Sequence, residues 1–277
     1  MTSLRRAGLF TALITILGAG GWLSLEGLER RAVYPFDATR ISPTAAGIPA
    51  QEVLQSHGGV RHILWVTPPE SGKPVILYLH GNAGNLANRA GRFEQFLERG
   101  YGLIAPAYRG SSGSGGIPSE ALIAADMARL YGSLGDLIPG LAPADVILFG
   151  ESLGSGVALR LIADTRQQPL GVVLEAPYTS LPDVVRVSAP QFTSLIPQMQ
   201  NIWNSAEHAQ SLTAPLMIIH GTQDTLIPVA QGRAVHAAAG SAAKQMIEVQ
   251  AGGHNDLWRS DVLRQIWAFI DAQPIRR

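Results

Sequence analysis

Ser152, Asp224 and His254 are the three side chains whose types together turn a hydroxyl into a nucleophile. A serine Oγ attacks a carbonyl carbon only where a base takes its proton. An imidazole can do that, and a carboxylate behind it fixes the tautomer and steadies the charged form. Ser152 lies in Gly150-Glu151-Ser152-Leu153-Gly154, directly after the apolar run Ile147 to Phe149 and before a helix-like stretch. Glycines on either side of a strand-to-helix bend remove the side chains that would clash there, so the hydroxyl projects outward. Asp224 follows in HGTQDTLIP and His254 in AGGHNDLW, where Gly252-Gly253 allows a sharp loop. The chain order nucleophile, acid, base is one in which this chemistry is built.

Each assignment has a competitor. Ser152 could cap a helix, and Asp224 could close an ordinary turn. Glu175 is a rival acid because it ends the preceding apolar run. Among the histidines, His57 and His62 fall in an N-terminal hairpin, His236 on a helix, His208 in an insertion, and His220 at a strand end. A tetrahedral intermediate also needs donors for its oxyanion. The backbone N–H of Leu153 is one candidate. The N–H of Asn82, or less readily that of Ala83, in the HGNAGN loop is the other. The glycine-rich YRGSSGSGG stretch, 108–116, lacks the G-K-[ST] ending of a phosphate loop. Arg109 within it could pin the loop through a salt bridge or meet an anionic substrate group. No His/Asp/Glu set has metal-site spacing, so neither metal nor cofactor is expected.

The elements that must position these residues follow from periodicity. Strands are predicted at 51–56 and 60–66 around His57-Gly58-Gly59, then at 74–81, 102–108, 145–150, 171–177, 215–221 and 244–250. Helices are predicted at 86–99, 119–134, 153–165, 229–239 and 257–272. Alternation of this kind gives an α/β fold, a mostly parallel central sheet with helices on both faces. Candidate site residues all follow the ends of apolar runs, where functional loops of such sheets gather. Between 181 and 214 the alternation breaks with several prolines and Trp203, which predicts a small cap insertion or a plain helical connection.

At 277 residues the chain can bury a sizeable core, and its 21 basic and 21 acidic residues balance. That balance speaks against nucleic acid as a partner. With no cysteine, thiol catalysis and disulfides are excluded. Ala7 to Leu25 carries no charge and follows Arg5-Arg6. As a helix it would reach about 28 Å, close to the hydrocarbon thickness. It reads as a membrane anchor, a cleaved signal peptide or a buried helix, the first two with the following domain on the non-cytoplasmic side. The chain then divides into an N-terminal segment 1–25, a linker 26–50 and a catalytic domain 51–277.

Taken together, HGNAGN, YRG…GSGGIPSE, GESLGSGVA, LEAPYTSL, PLMIIHGTQDTLIP and GGHND resemble the membrane-associated branch of the α/β-hydrolase superfamily. That branch includes protein depalmitoylases, lysophospholipid lipases and bacterial homologues. The resemblance implies an α/β-hydrolase fold with a small cap, a Ser152–Asp224–His254 triad, and cofactor-free cleavage of an acyl ester or thioester with a lipid-like substrate. Ala107 stands where the family more often has Asp, and Ser111-Ser112 where a bulkier loop is usual. The cysteine-rich tail of the depalmitoylases is absent. A serine peptidase of the same fold is the alternative, and a non-catalytic binding protein a further one.

Overall fold

The structure, a computed structural model, describes residues 25–275. Eight segments form strands: β1 (Gln51–His57), β2 (Val60–Thr67), β3 (Val75–Leu79), β4 (Gly102–Pro106), β5 (Val146–Glu151), β6 (Gly171–Glu175), β7 (Leu216–Gly221) and β8 (Lys244–Val249). They make one sheet in the order β1-β2-β4-β3-β5-β6-β7-β8. The pairings from β4 through β8 are parallel, and the β1–β2 hairpin joins β4 antiparallel. Gly58 and Gly59 both take positive φ at the hairpin tip, as a two-residue turn matching strand twist requires.

The sheet separates two apolar layers. Leu77, Leu148, Leu174 and Ile218 face one side, where the helices Glu120–Gly132, Leu153–Thr165 and Val229–Ala238 lie. Ile76, Phe149, Val173 and Met217 face the other, under Ala90–Leu97 and Ser260–Asp271. This is the α/β architecture expected from the alternation, a mostly parallel sheet covered on both faces. Some boundaries are shorter than periodicity indicates. Strand β4 stops at Pro106, which has no N–H to extend a ladder. The stretch 86–99 opens as a 3₁₀ turn, Leu86–Arg89, because Asn85 and Asn88 form a reciprocal cap there.

Residues 26–50 pack onto the domain: Tyr34 and Ile48 are buried, and the Asp37 amide donates to Gly84 O at 3.0 Å. The 181–214 interval is helical, with Leu181–Ser188, a 3₁₀ run Pro190–Gln198 and Ser205–Ala209. Its Ser188 hydroxyl donates to the Leu226 carbonyl, two residues beyond Asp224. Trp203 is fully buried and donates from Nε1 to Tyr34 Oη at 2.9 Å, so it packs the core. The N-terminal anchor reading of 7–25 falls outside the described residues except at Leu25. Among the described residues no helix is long and apolar enough to cross a membrane.

Candidate active site

Strands β5, β6, β7 and β8 are successive parallel neighbours, so the loops after β5, β7 and β8 open at the same end of the sheet. Ser152 follows β5 at φ 49° and ψ −112°, a conformation costing about 1–3 kcal/mol that tightly packed surroundings must hold. A Cβ on Gly150 would lie 2.7 Å from Gly154 O, and one on Gly154 only 1.9 Å from Leu79 O. Both glycines of the G-E-S-L-G turn are therefore required by close backbone approach. The Ser152 amide donates to Glu175 O at 2.8 Å, tying the turn to β6.

His254 arrives from the loop after β8. Gly221, at the end of β7, has no side chain because a Cβ there would lie 2.3 Å from the carbonyls of Gly252 and Gly253. The backbones carrying the acid and the imidazole are thus in direct contact. His254 Nδ1 lies 2.7 Å from Asp224 Oδ2, and its Nε2 lies 3.0 Å from Ser152 Oγ. An ionised carboxylate only accepts, so Nδ1 carries the proton of the neutral ring and Nε2 accepts from the serine. The other Asp224 oxygen accepts from the Leu226 and Ile227 amides at 2.9 and 2.8 Å. Burial alone would raise the Asp224 carboxyl. Hydrogen bonds from His220 and His254, and from the Ile227 amide, outweigh burial and hold it well below the ordinary carboxylate range. The three residues singled out by type and spacing are therefore brought into one hydrogen-bonded relay.

The family model described as serine aminopeptidase, S33, matches residues 70–205, from before β3 past the Ser152 turn to the start of the helix Ser205–Ala209. The uncharacterized protein Rv2307c of Mycobacterium tuberculosis is 31% identical over 249 residues, covering 88% of this chain and 87% of that one. The chain belongs to the α/β-hydrolase superfamily. This α/β-hydrolase is also similar to the lysophosphatidylserine lipase ABHD12 of Danio rerio, 30% identical over 185 residues, 60% of this chain and 47% of that protein. Among solved structures, the Pyrococcus furiosus esterase Pf2001 superposes with a TM-score of 0.70 at 18% identity, covering 87% of this chain and 96% of that one. That likeness is one of fold.

The rival acid of the hydrolase, Glu175, is otherwise engaged. It accepts two bonds from Arg92, at 2.7 and 2.8 Å, and one from Trp258 Nε1 at 2.7 Å. His220 is fully buried with Nε2 2.7 Å from Ile227 O and 3.5 Å from Asp224 Oδ2, so it supports the acid loop. Arg109 pairs with Asp126 through two bonds, the salt-bridge reading rather than a free anion site. Leu153 opens a helix, and the first amides of a helix have no intrahelical acceptor. Asn82 lies in the loop after β3. Among the described residues no cluster of His, Asp or Glu could hold a metal ion.

Sequence reasoning missed the buried charge network beneath the site. Arg89 donates to both oxygens of Glu151, at 3.1 and 3.0 Å, and Tyr78 Oη donates to Glu151 Oε2 at 2.7 Å. Arg92 donates to Tyr78 Oη at 3.0 Å and so links this pair to Glu175. Burial would raise the Glu151 carboxyl, but the Arg89 and Arg92 charges and the bonds from Arg89 and Tyr78 pull it down to about 2. One local signal existed: arginines at 89 and 92 share a helix face. Their partners are distant in sequence and become visible only with the strand register.

Proposed function

We propose that this α/β-hydrolase cleaves acyl esters or thioesters through an acyl-enzyme on Ser152. The observation that carries the reading is the relay Asp224–His254–Ser152, with contacts of 2.7 and 3.0 Å, ending at a serine in a strained strand-to-helix turn. Ser152 Oγ bonds to the carbonyl carbon as its proton passes to His254 Nε2. The negative charge on the carbonyl oxygen is met by the Leu153 and Asn82 amides. Collapse of the intermediate expels the alcohol or thiol, which takes the proton from His254. Water, deprotonated by the same imidazole, then releases the acid and restores Ser152. Asp224 stays ionised throughout, in keeping with the hydrogen bonds that lower its pKa.

The substrate class is a carboxylic ester, thioester or lysophospholipid with an acyl chain. A lipase among the relatives and an esterase among the structural neighbours support that choice. Val187, Phe192 and Leu195 expose apolar side chains on the 181–214 segment, which we take as a small cap suited to an acyl chain. Residues 7–25 would anchor the domain to a membrane on its non-cytoplasmic side. The family model's description brings peptide cleavage into view. An aminopeptidase needs a free carboxylate for the substrate amine, and Glu151 and Glu175 beside the nucleophile are neutralised by Arg89 and Arg92.

The test is fluorophosphonate labelling of soluble and membrane fractions, with p-nitrophenyl esters of increasing acyl length assayed in parallel against aminoacyl p-nitroanilides. Ser152→Ala should abolish labelling, and Ser152→Ala and His254→Ala should each lower kcat by about 10⁴-fold or more while the fold survives. Wild-type turnover in either variant refutes the assignment. Preference for the anilides transfers it to a peptidase.

A further inference from the structure

We propose that Arg89 is a positioning residue that holds the 81–85 loop, and with it the Asn82 amide, in register with Ser152. The inference rests on the reading of Ser152 as nucleophile and Asn82 as oxyanion donor. One planar guanidinium grips both halves of the site. Its Nε and Nη2 donate to Glu151, the residue bonded to Ser152, while Nη1 donates to Ala83 O at 2.5 Å and Asn85 O at 3.2 Å. Asn82 lies between these anchor points and Gly81. The loop backbone closes directly on the ion pair: a Cβ on Gly81 would lie 2.9 Å from Glu151 Oε1, and one on Gly84 3.0 Å from Arg89 Nη1. Two amide donors act on one oxyanion only if the segments carrying them keep a fixed separation; the β3–β5 pairing fixes it as far as Leu79 and Gly150, and Arg89 holds the loop beyond that pairing.

Arginine is required for geometric reasons. Its fixed fork can satisfy a carboxylate and point a third nitrogen at backbone carbonyls, whereas a lysine ammonium has a single donor centre. The same network reaches the base. Glu151 shares Tyr78 with Arg92, whose partner Glu175 accepts from Trp258, four residues beyond His254. Buried charge pairs are poor sources of net stability, so a network of this size beneath a site is better explained by the geometry it imposes.

The experiment compares Arg89→Lys, Glu151→Gln and the double variant R89M/E151Q, which leaves neither buried charge unpaired. Each is assayed for kcat and KM on a p-nitrophenyl ester and on the matching thionoester, with thermal melting as a check on folding. Sulfur is a larger and weaker hydrogen-bond acceptor, so amides placed for an oxyanion favour the oxygen ester. A displaced loop should shrink that preference. Expected in the folded variants are a fall in kcat of about 10²-fold, the scale of losing one oxyanion donor, a KM within about twofold, and a comparable drop in the ester-to-thionoester ratio. Wild-type kcat and ratio in a folded R89K or R89M/E151Q overturn the proposal. If all three variants fail to melt cooperatively, Arg89 is a folding residue and the proposal also falls. Ser152→Ala run beside them separates the two claims: ester turnover that survives it overturns the nucleophile reading, and with it the tether.

Discussion

Asp224 divides its work between its two oxygens. One closes the turn through the Leu226 and Ile227 amides, and the other meets His254. Asp224→Asn should therefore keep the turn, because an amide oxygen can still accept those bonds. An amide nitrogen opposite His254 would favour the wrong imidazole tautomer, leaving no lone pair on Nε2 for the serine proton. We expect kcat to fall by about 10⁴-fold, the scale known for this change in a serine protease, with KM and melting temperature little altered. A loss below tenfold on a short-chain p-nitrophenyl ester would remove Asp224 from the relay. At this scale the site was largely legible. Ser152, Asp224 and His254 announce themselves through local sequence, since the glycines that let their loops turn lie beside them. Chain order already favours Asp224 over Glu175; what only tertiary structure shows is that Arg92 and Trp258 occupy Glu175. Arg89 and Glu151 were illegible for the same reason: nothing local couples them.

Between elements, the closest approach in the site is that of the helix Leu153–Thr165 to the end of β3. A Cβ added at Gly154 would lie 1.9 Å from Leu79 O, a backbone atom, so no rotamer could relieve the clash. Gly154→Ala must push the helix start away from β3, and Leu79 leads straight into the loop holding Asn82. Alanine would gain at most about 1 kcal/mol of helix propensity. Overpacking costs about 1–3 kcal/mol and more when the obstacle is backbone, so the clash wins. We expect a net loss of about 2 kcal/mol or more in urea unfolding together with a large loss of turnover. Gly91→Ala is the matched control, since a Cβ there meets nothing within 4 Å inside the helix Ala90–Leu97. It should be neutral or gain up to about 1 kcal/mol with activity intact. Equal effects at the two positions would mean that backbone approach does not define the turn. The strands and helices themselves were readable because fully buried parallel strands are continuous apolar runs. Their exact ends were less so. Asn85 and Asn88 diverted one helix start into a 3₁₀ turn, and Pro106 ended β4 early.

Across the whole molecule, strand order was beyond the sequence, since alternation implies a parallel sheet but not that β3 lies between β4 and β5. That order buries polar groups at the centre of the sheet edge, and these make stability depend on pH in a definite sense. His80 follows β3 directly and is fully buried, with Nδ1 2.7 Å from Gly81 O. Burial, helped by the nearby Arg89 charge, pushes it from its ordinary 6.5 down to about 3. The folded protein therefore keeps His80 neutral where the unfolded chain would protonate it. Its contribution is fully present above pH 6.5 and is lost as pH falls toward 3. His62 and His208, also lowered chiefly by burial, act in the same sense. Glu151, down from 4.5 to about 2, adds a second loss between those values, because the unfolded chain takes up its proton first. Stability should thus be nearly flat in these groups from pH 8 to 7 and decline below 6.5. The slope reaches at most about 1.4 kcal/mol per pH unit for each proton, and it steepens below 4.5. Urea unfolding at pH 8, 7, 6, 5 and 4 measures the decline, and His80→Asn, which cannot titrate but can donate to Gly81 O, isolates its share. That variant should be less stable than wild type at pH 8 yet lose less between pH 6.5 and 4. An identical slope in the two proteins would mean that His80 titrates alike in the folded and unfolded chains, and would overturn the prediction.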